Sequence, residues 1–349
     1  MEGMTIADSS RRTRWTRTIG SFLSIVAMQG QACARIPDRD AATRVRIAIG
    51  GQNQMIYLPT TLAQELGFYR EEGLEVELQD FQGGAKALQA LVGGSADVVS
   101  GFYDHTIQMA AEGRALVAFV TMLRFPGLVL VTSPRSPVRT IEDLKGRIAG
   151  VTTAGSSSQM LLTYILQRHG IAADAVAVTA IGSAAAAIAA MEHGRVDAGM
   201  MADPSFTLVQ HRNPTVRVLA DLRDAAGVKA AFGTSAYPGS VLYASGDWVR
   251  AHPDTARRLA RAVLRTLQWM QAHSAEDIAI KTPKAFRGED DALYTDALRS
   301  SMPMFSPDGV MAADGADIVR TLLAGSLEKV RMANVDVSKT YTNGFVNGR

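Results

Sequence analysis

The sequence predicts an α/β protein of two lobes completed by a C-terminal helical segment, and three observations point to it. From Arg44 onward, short apolar runs alternate with helical patterns. After a stiff break at Ser133-Pro134-Arg135-Ser136-Pro137 the alternation begins again, and after Asp247 the pattern becomes almost wholly helical. Strand–helix alternation at this spacing indicates βαβ units and parallel sheets.

The first lobe takes strands at Val45–Ile49, Leu74–Leu78, Asp97–Ser100 and Leu116–Met122. Leu74–Leu78 alternates apolar and acidic residues, as a half-buried or edge strand does. Helices are expected at Pro59–Gly67, with Gly67 as its C-cap, at Gly83–Val92, and at Tyr103–Ala111. Leu128–Thr132 is a further strand, ended by the proline-rich break. The second series has strands at Arg147–Val151, Val176–Thr179, Ala198–Met201 and Val216–Leu219. Its helices are Ser157–His169, Ala184–His193 and Ser205–Asn213, and Val241–Ala244 reads as one more strand. In the tail, Leu259, Val263, Leu267 and Met270 share one helical face. Arg257, Arg258, Arg261 and Arg265 occupy much of the remainder and read as a solvated face. Later helices are expected at Asp290–Ser300 and Asp308–Leu323.

The simplest packing returns the tail to the first lobe. Lobe 1 is then 44–128 with 241–349, and lobe 2 is 129–240. The chain crosses between them near Gly127–Thr132 and Ala236–Ala244. Ligands of open α/β sheets bind beyond the carboxyl ends of the strands. Two facing lobes bring those ends to one cleft.

Composition narrows the function. The chain has 349 residues, 47% hydrophobic and 20% charged, with a net charge of +2. Four arginines against two acids in residues 1–34 account for that charge, so the rest is balanced. This argues against nucleic-acid or membrane-surface binding through bulk charge. Residues 1–34 read as an export signal: Arg11, Arg12, Arg14 and Arg17 are basic, Ile19–Met28 is apolar, and Ala32-Cys33-Ala34 has the pattern of a cleavage site. Ser10-Arg11-Arg12 leaves a twin-arginine route open, and Cys33 is a weak candidate for lipid attachment. No later run reaches transmembrane length.

The candidate site residues cluster where strands end. Gln52, Gln54 and Tyr57 follow the first strand and offer amides and a phenol. Gly83 and Gly84 follow the second; they either leave helix N–H groups open to a ligand or serve tight helix–sheet packing. Phe102 and Tyr103 follow the third as candidate ligand-facing aromatics. His105 beside them is expected to be a satisfied helix residue. Gly155, Ser156, Ser157 and Ser158 open a helix after a buried strand, and unpaired donors with the helix dipole attract anions there. Ser156 or Ser157 can also simply cap that helix. Asp203-Pro204 starts a helix at a strand end, so Asp203 either caps it or faces the cleft. Tyr237 lies at the second crossing. The six histidines show no metal-ligand spacing, and neither a G-x-S-x-G elbow nor a GxxxxGK[ST] loop occurs. No metal or cofactor is expected.

These residues carry a family resemblance. Gln52 and Pro59, Ala63 to Gly67-Phe68-Tyr69, Gly73-Leu74-Glu75-Val76 and Phe81-Gln82-Gly83-Gly84 begin the pattern. Gly94-Ser95-Ala96-Asp97, Asp143-Leu144-Lys145-Gly146, Gly155-Ser156-Ser157, Gly194-Arg195-Val196-Asp197-Ala198 and Asp203-Pro204 continue it. Over Arg44 to about Leu323 the chain resembles the periplasmic solute-binding proteins of ABC importers, in the nitrate/sulfonate/taurine and thiamine-precursor (NMT1/THI5-like) group. The resemblance implies a two-lobed type II periplasmic binding fold with a hinged cleft. It also implies a periplasmic monomer that captures a small solute and delivers it to an ABC permease, and the helix start at Gly155 to Ser158 makes an organic anion, such as a sulfonate or carboxylate, the expected solute. A pyrimidine or flavin-like vitamin precursor is the alternative ligand, and an enzyme of the same fold the alternative class. Ala202 stands where sulfonate binders often carry Trp, and the mature region lacks the cysteine-rich motif of the group's enzyme branch.

Overall fold

The computed structural model describes residues 42–347. The expected export signal and Cys33 lie outside the described residues. Among the described residues no helix is long and apolar enough to cross a membrane.

Two five-stranded sheets organise the chain. The first is built from β1 (Thr43–Ile49), β2 (Leu74–Asp80), β3 (Val98–Phe102), β4 (Leu116–Thr121) and, much later, β10 (Ser240–Ser245). The second is built from β5 (Leu128–Thr132), β6 (Ile148–Val151), β7 (Ala177–Ala180), β8 (Ala198–Ala202) and β9 (Val218–Asp221). Their orders are β2-β1-β3-β10-β4 and β7-β6-β8-β5-β9. In each, four strands share one direction, three of them directly paired in parallel. The strand that the chain enters on crossing from the other sheet, β10 or β5, runs antiparallel to both its neighbours. The sheets are therefore mixed, where strand–helix alternation alone suggested parallel ones. A crossing delivers the chain to the opposite end of the receiving sheet, and neither β4–β5 nor β9–β10 is a βαβ unit.

Every residue of β3, β5 and β8 is buried. That is the pattern of strands covered on both faces by helices. The edge strands β2 and β7 are mostly half-buried or exposed. A second apolar cluster in the second sheet joins Val129, Val131 and Met201 to Met191, Phe206 and Val209 on its helices.

The tail opens with the short helix Gly246–Ala251 and continues with the helix Pro253–Gln271, whose proline at the first turn needs no hydrogen-bond partner for its nitrogen. Its apolar face packs on the helices Leu58–Glu65 and Phe68–Glu71. The arginine face is not simply solvated. Arg261 and Arg265 pair with Glu72 and Glu71, and Arg258 bonds the carbonyls of Glu72 and Gly73 and the Thr43 hydroxyl. These long side chains fasten the tail to the first sheet's edge. Farther on, the helix Gly315–Ser326 packs on both Asp104–Ala111 and Ser157–Arg168, so the tail reaches elements of both sheets. That helix starts at Gly315 rather than the expected Asp308. Ser306 Oγ and Asp308 Oδ1 accept the Gly309 and Val310 N–H groups, which holds the preceding residues in a turn. Near the end of the chain, Thr340 and Thr342 bond the backbone of Ala118 and cover the outer edge of β4.

Candidate functional site

The carboxyl ends of β1, β3 and β6 meet at a seam between the two sheets. Gly50, Gln54, Tyr57, Gly84 and Phe102 come from the first side. Leu128, Thr152 and Ser156 to Ser158 come from the second, and together they enclose a cavity of about 20 Å³. That is room for about one water molecule. A larger hollow of about 790 Å³ lies over the amino-terminal halves of β1 and β2. It is open, and four of its five charged residues pair with one another, Arg44 with Glu75 and Arg46 with Asp97. The seam cavity is the candidate site, because strand carboxyl ends and helix N-termini converge there.

Two helices start at this cavity from opposite sides. On the first side is Gly84–Val92, preceded by Gly83 at φ 110°, a conformation that a side chain would strain. Gly50 lets the two segments approach, since a Cβ there would stand 2.4 Å from the Gly84 nitrogen. On the second side is Ser157–Arg168. The backbone N–H groups of Gly84, Ala85, Ser157 and Ser158 have no acceptor among the described residues. Such groups, with the aligned helix dipoles behind them, favour negative charge.

The hydroxyls beside them are already engaged. Ser156 Oγ donates to the Thr153 carbonyl at 2.7 Å and accepts from Thr152 Oγ1 at 2.9 Å. Ser158 Oγ accepts from the Thr152 N–H at 3.0 Å and lies 2.8 Å from Ser156 Oγ. Neither Ser156 nor Ser157 caps the helix through its side chain. Opposite these serines, Tyr57 and Phe102 form an edge-to-face pair with ring centroids 6.5 Å apart.

Directly behind the cavity, Asp104 and His105 open the helix Asp104–Ala111, both fully buried. Ser157 Oγ donates to Asp104 Oδ1 at 2.7 Å, and the Tyr237 hydroxyl lies 3.4 Å from Oδ2. Burial raises the Asp104 carboxyl above the usual carboxylate range, with His105 and the hydroxyl donors opposing it. Burial lowers His105 below the usual imidazole range, opposed by the charge of Asp104. Its Nδ1 lies 3.3 Å from the Tyr243 hydroxyl. Its Nε2 has no partner in hydrogen-bonding geometry, although the nearby Gly155 backbone favours the protonated ring. The expectation of a fully satisfied histidine therefore fails at one nitrogen.

Of the residues singled out in the sequence, Gln54, Tyr57, Gly84, Phe102, Ser156, Ser157 and Ser158 come together at the cavity. Gln54 turns its amide onto the Gly50 carbonyl, so it braces the turn. Gly83 lies beside the cavity, packed close to Thr153 of the other side. Gln52 points away, toward Thr61 and the open hollow. Gly155 is exposed. Tyr103 is fully buried with its hydroxyl 2.5 Å from Thr340 Oγ1, on the side of the C-terminal segment. Tyr237 stands behind the cavity against Asp104.

Asp203 caps the helix Ser205–Arg212, taking its first-turn Thr207 N–H at 3.1 Å, and does not line the cavity. Its Oδ1 accepts from Thr207, and its Oδ2 accepts from Arg223 at 2.9 Å and Ser301 at 2.9 Å. Its carbonyl accepts the Met55 N–H at 2.9 Å, a bond that crosses the seam. Gly50, in the turn after the first strand, lines the cavity as its place in the sequence suggests, whereas Ile56, Leu128 and Thr152 were not expected there. Thr152 had the right signal, a polar residue one position past the end of β6.

Comparisons with known proteins agree with this architecture. Residues 55–277 match the family model described as NMT1/THI5 like. A Bacillus subtilis protein named as a binding protein, YtlA, is 23% identical over 90% of this chain and 93% of its own. A Schizosaccharomyces pombe protein named as 4-amino-5-hydroxymethyl-2-methylpyrimidine phosphate synthase is 25% identical over 41% of this chain and 40% of its own. Among solved structures, a protein of Bordetella bronchiseptica RB50 is similar at TM-score 0.84 and 37% identity, covering 88% of this chain and 97% of that one. The alkanesulfonate-binding protein SsuA of Xanthomonas axonopodis pv. citri, bound to MOPS, shares the fold at TM-score 0.66 and 20% identity, covering 86% and 98%. The fold is thus that of the two-lobed periplasmic binding proteins.

Proposed function

The chain belongs to the NMT1/THI5-like family, and from that premise we propose that it is an extracytoplasmic solute-binding receptor of an ABC importer, capturing a small organic anion at the seam between its sheets. The observation that carries the reading is the pair of helix N-termini. Gly84, with a free N–H group, and Ser157 and Ser158, with two more, line one cavity that no Lys or Arg lines. Such a site holds a sulfonate or carboxylate head through backbone donors. Ile56, Tyr57, Phe102 and Leu128 supply an apolar wall for the organic part. We take 44–128 with 241–349 and 129–240 as the two lobes, hinged at the crossings. Ligand would favour the closed state by touching both sides at once. Export through residues 1–34, a monomeric state and delivery to a membrane permease complete the proposal. Neighbours named as sulfonate-binding and ABC import components support it.

A heterocyclic vitamin precursor is the second reading, favoured by the Tyr57–Phe102 pair and by the thiamine-related relatives. A thermal-shift screen of the protein from Arg35 onward separates the two, using alkyl sulfonates, carboxylates, nitrate, pyrimidines and flavins. A ligand at one hundred times its Kd stabilises by about 2.7 kcal/mol, a rise of roughly 5 °C for a chain of this size. The expected result is a shift with one anion class, reduced in Gly50→Ala, whose Cβ would stand 2.4 Å from the Gly84 nitrogen. A shift with heterocycles alone overturns the anion assignment.

A further inference from the structure

We propose that the Asp104–His105 pair takes up a proton when the seam captures an anion, so that affinity for the ligand falls as pH rises. The inference rests on the anion-receptor reading and adds to it a titrating partner for the bound charge.

The geometry places the pair against the binding donors. Ser157 offers its N–H to the cavity while its hydroxyl holds Asp104 Oδ1 at 2.7 Å. An anion on that N–H therefore sits within about two hydrogen bonds of the carboxyl group. The His105 ring lies against the facing helix start, at Gly84. Its Cε1 is 3.2 Å from the place a Cβ on Gly84 would occupy. Both side chains are buried, and His105 Nε2 is unpartnered.

The groups facing Asp104 from the elements packed around it are the Ser157 hydroxyl and the phenols of Tyr57, Tyr237 and Tyr243. Burial raises all three phenols, so they remain neutral. His105 is the one cation source among the groups acting on Asp104. An ionised Asp104 beside a bound anion would place two like charges in a region with room for about one water. Protonation of the pair removes that repulsion, whether the proton resides on the carboxyl or the imidazole. Burial already moves both groups toward sharing one proton, lifting Asp104 and lowering His105.

The sign follows from linkage. A bound anion raises the proton affinity of the pair, so binding takes up protons. Affinity is highest at low pH and declines between the free and liganded titrations of the pair, by up to about tenfold in Kd per pH unit for one proton.

The test is calorimetric titration of the protein with ethanesulfonate between about pH 5 and pH 8, in two buffers of different protonation enthalpy. The expected result is weaker binding at higher pH with net proton uptake approaching one per ligand. Asp104→Asn, which still accepts the Ser157 hydroxyl, should bind with little pH dependence and little uptake. Equal Kd across the range with no uptake overturns the inference and leaves the anion receptor standing, as does proton release. Failure of sulfonates and carboxylates to bind at any pH overturns both. The proton count on the unaltered protein decides the matter even where the variant does not fold.

Discussion

Ser157 Oγ donates a 2.7 Å hydrogen bond to Asp104 Oδ1, tying the first turn of a helix over the second sheet to the first turn of a helix over the first. Both residues are buried, so the bond closes the seam behind the cavity and leaves the Ser157 N–H facing forward. With Met55 N–H to the Asp203 carbonyl, it is one of the polar contacts that hold the two sides together.

Ser157→Ala removes the donor and leaves a buried carboxyl with fewer partners. The cost of leaving a buried acceptor unsatisfied is about 1–3 kcal/mol. Urea denaturation should show a loss in this range. Small-angle scattering should show a larger radius in the variant as the closed state is depopulated. An unchanged radius and midpoint would mean that the bond contributes nothing to closure.

Asp203 is a structural anchor in this account. Asp203→Ala strips Arg223 of one of its two acidic partners and frees the Ser301 and Thr207 donors. Breaking such a buried pair costs about 3–5 kcal/mol, lessened here because Asp221 still holds Arg223. The variant should unfold at markedly lower urea, while Asp203→Asn, if folded, should retain ligand affinity. A selective loss of affinity in Asp203→Asn would restore Asp203 to the binding site.

The strand pattern was legible because β-branched and apolar runs alternate with turn residues, and Leu128–Thr132 has the bounds expected of it. The direction of β10 was not, because antiparallel entry depends on which end of the sheet a crossing reaches. Gly84 and Ser156 to Ser158 were legible as small residues that open helices after strands. Asp203 was legible as a helix cap but not as an anchor. Its partners Arg223 and Ser301 lie 20 and 98 residues later, and nothing in the Asp-Pro dipeptide announces them. Tyr103 and Phe102 were equivalent in sequence, yet the backbone at the end of β3 sends one to Thr340 and the other to the cavity.

Gly50→Ala probes the close approach at the first helix start. Its Cβ would stand 2.4 Å from the Gly84 nitrogen and 2.6 Å from its Cα, both backbone atoms that cannot rotate away. Overpacking of this kind costs about 1–3 kcal/mol. It should also displace the Gly84 donor and abolish ligand-induced thermal stabilisation. Full stabilisation in this variant would show that the Gly84 start is not used.

A pH effect away from the seam is also expected. The His169 ring, 2.6 Å from Glu142, holds that carboxyl well below its ordinary value, at about 2. A depressed carboxylate contributes stability above its unfolded pKa that is lost as pH falls through the folded one. Glu142→Gln should therefore flatten the stability profile between about pH 4.5 and pH 2. Because the pair is at the surface, high salt should shrink the effect. Identical acid profiles for the two proteins would contradict the pairing.

If backbone amides at two facing helix starts hold the anion, their own signals must report it. An amide-resolved NMR titration with ethanesulfonate would follow Gly84, Ala85, Ser157 and Ser158. These four signals should move together and saturate on one binding curve. Saturable binding that leaves all four unmoved, or no binding at all, would contradict that binding mode.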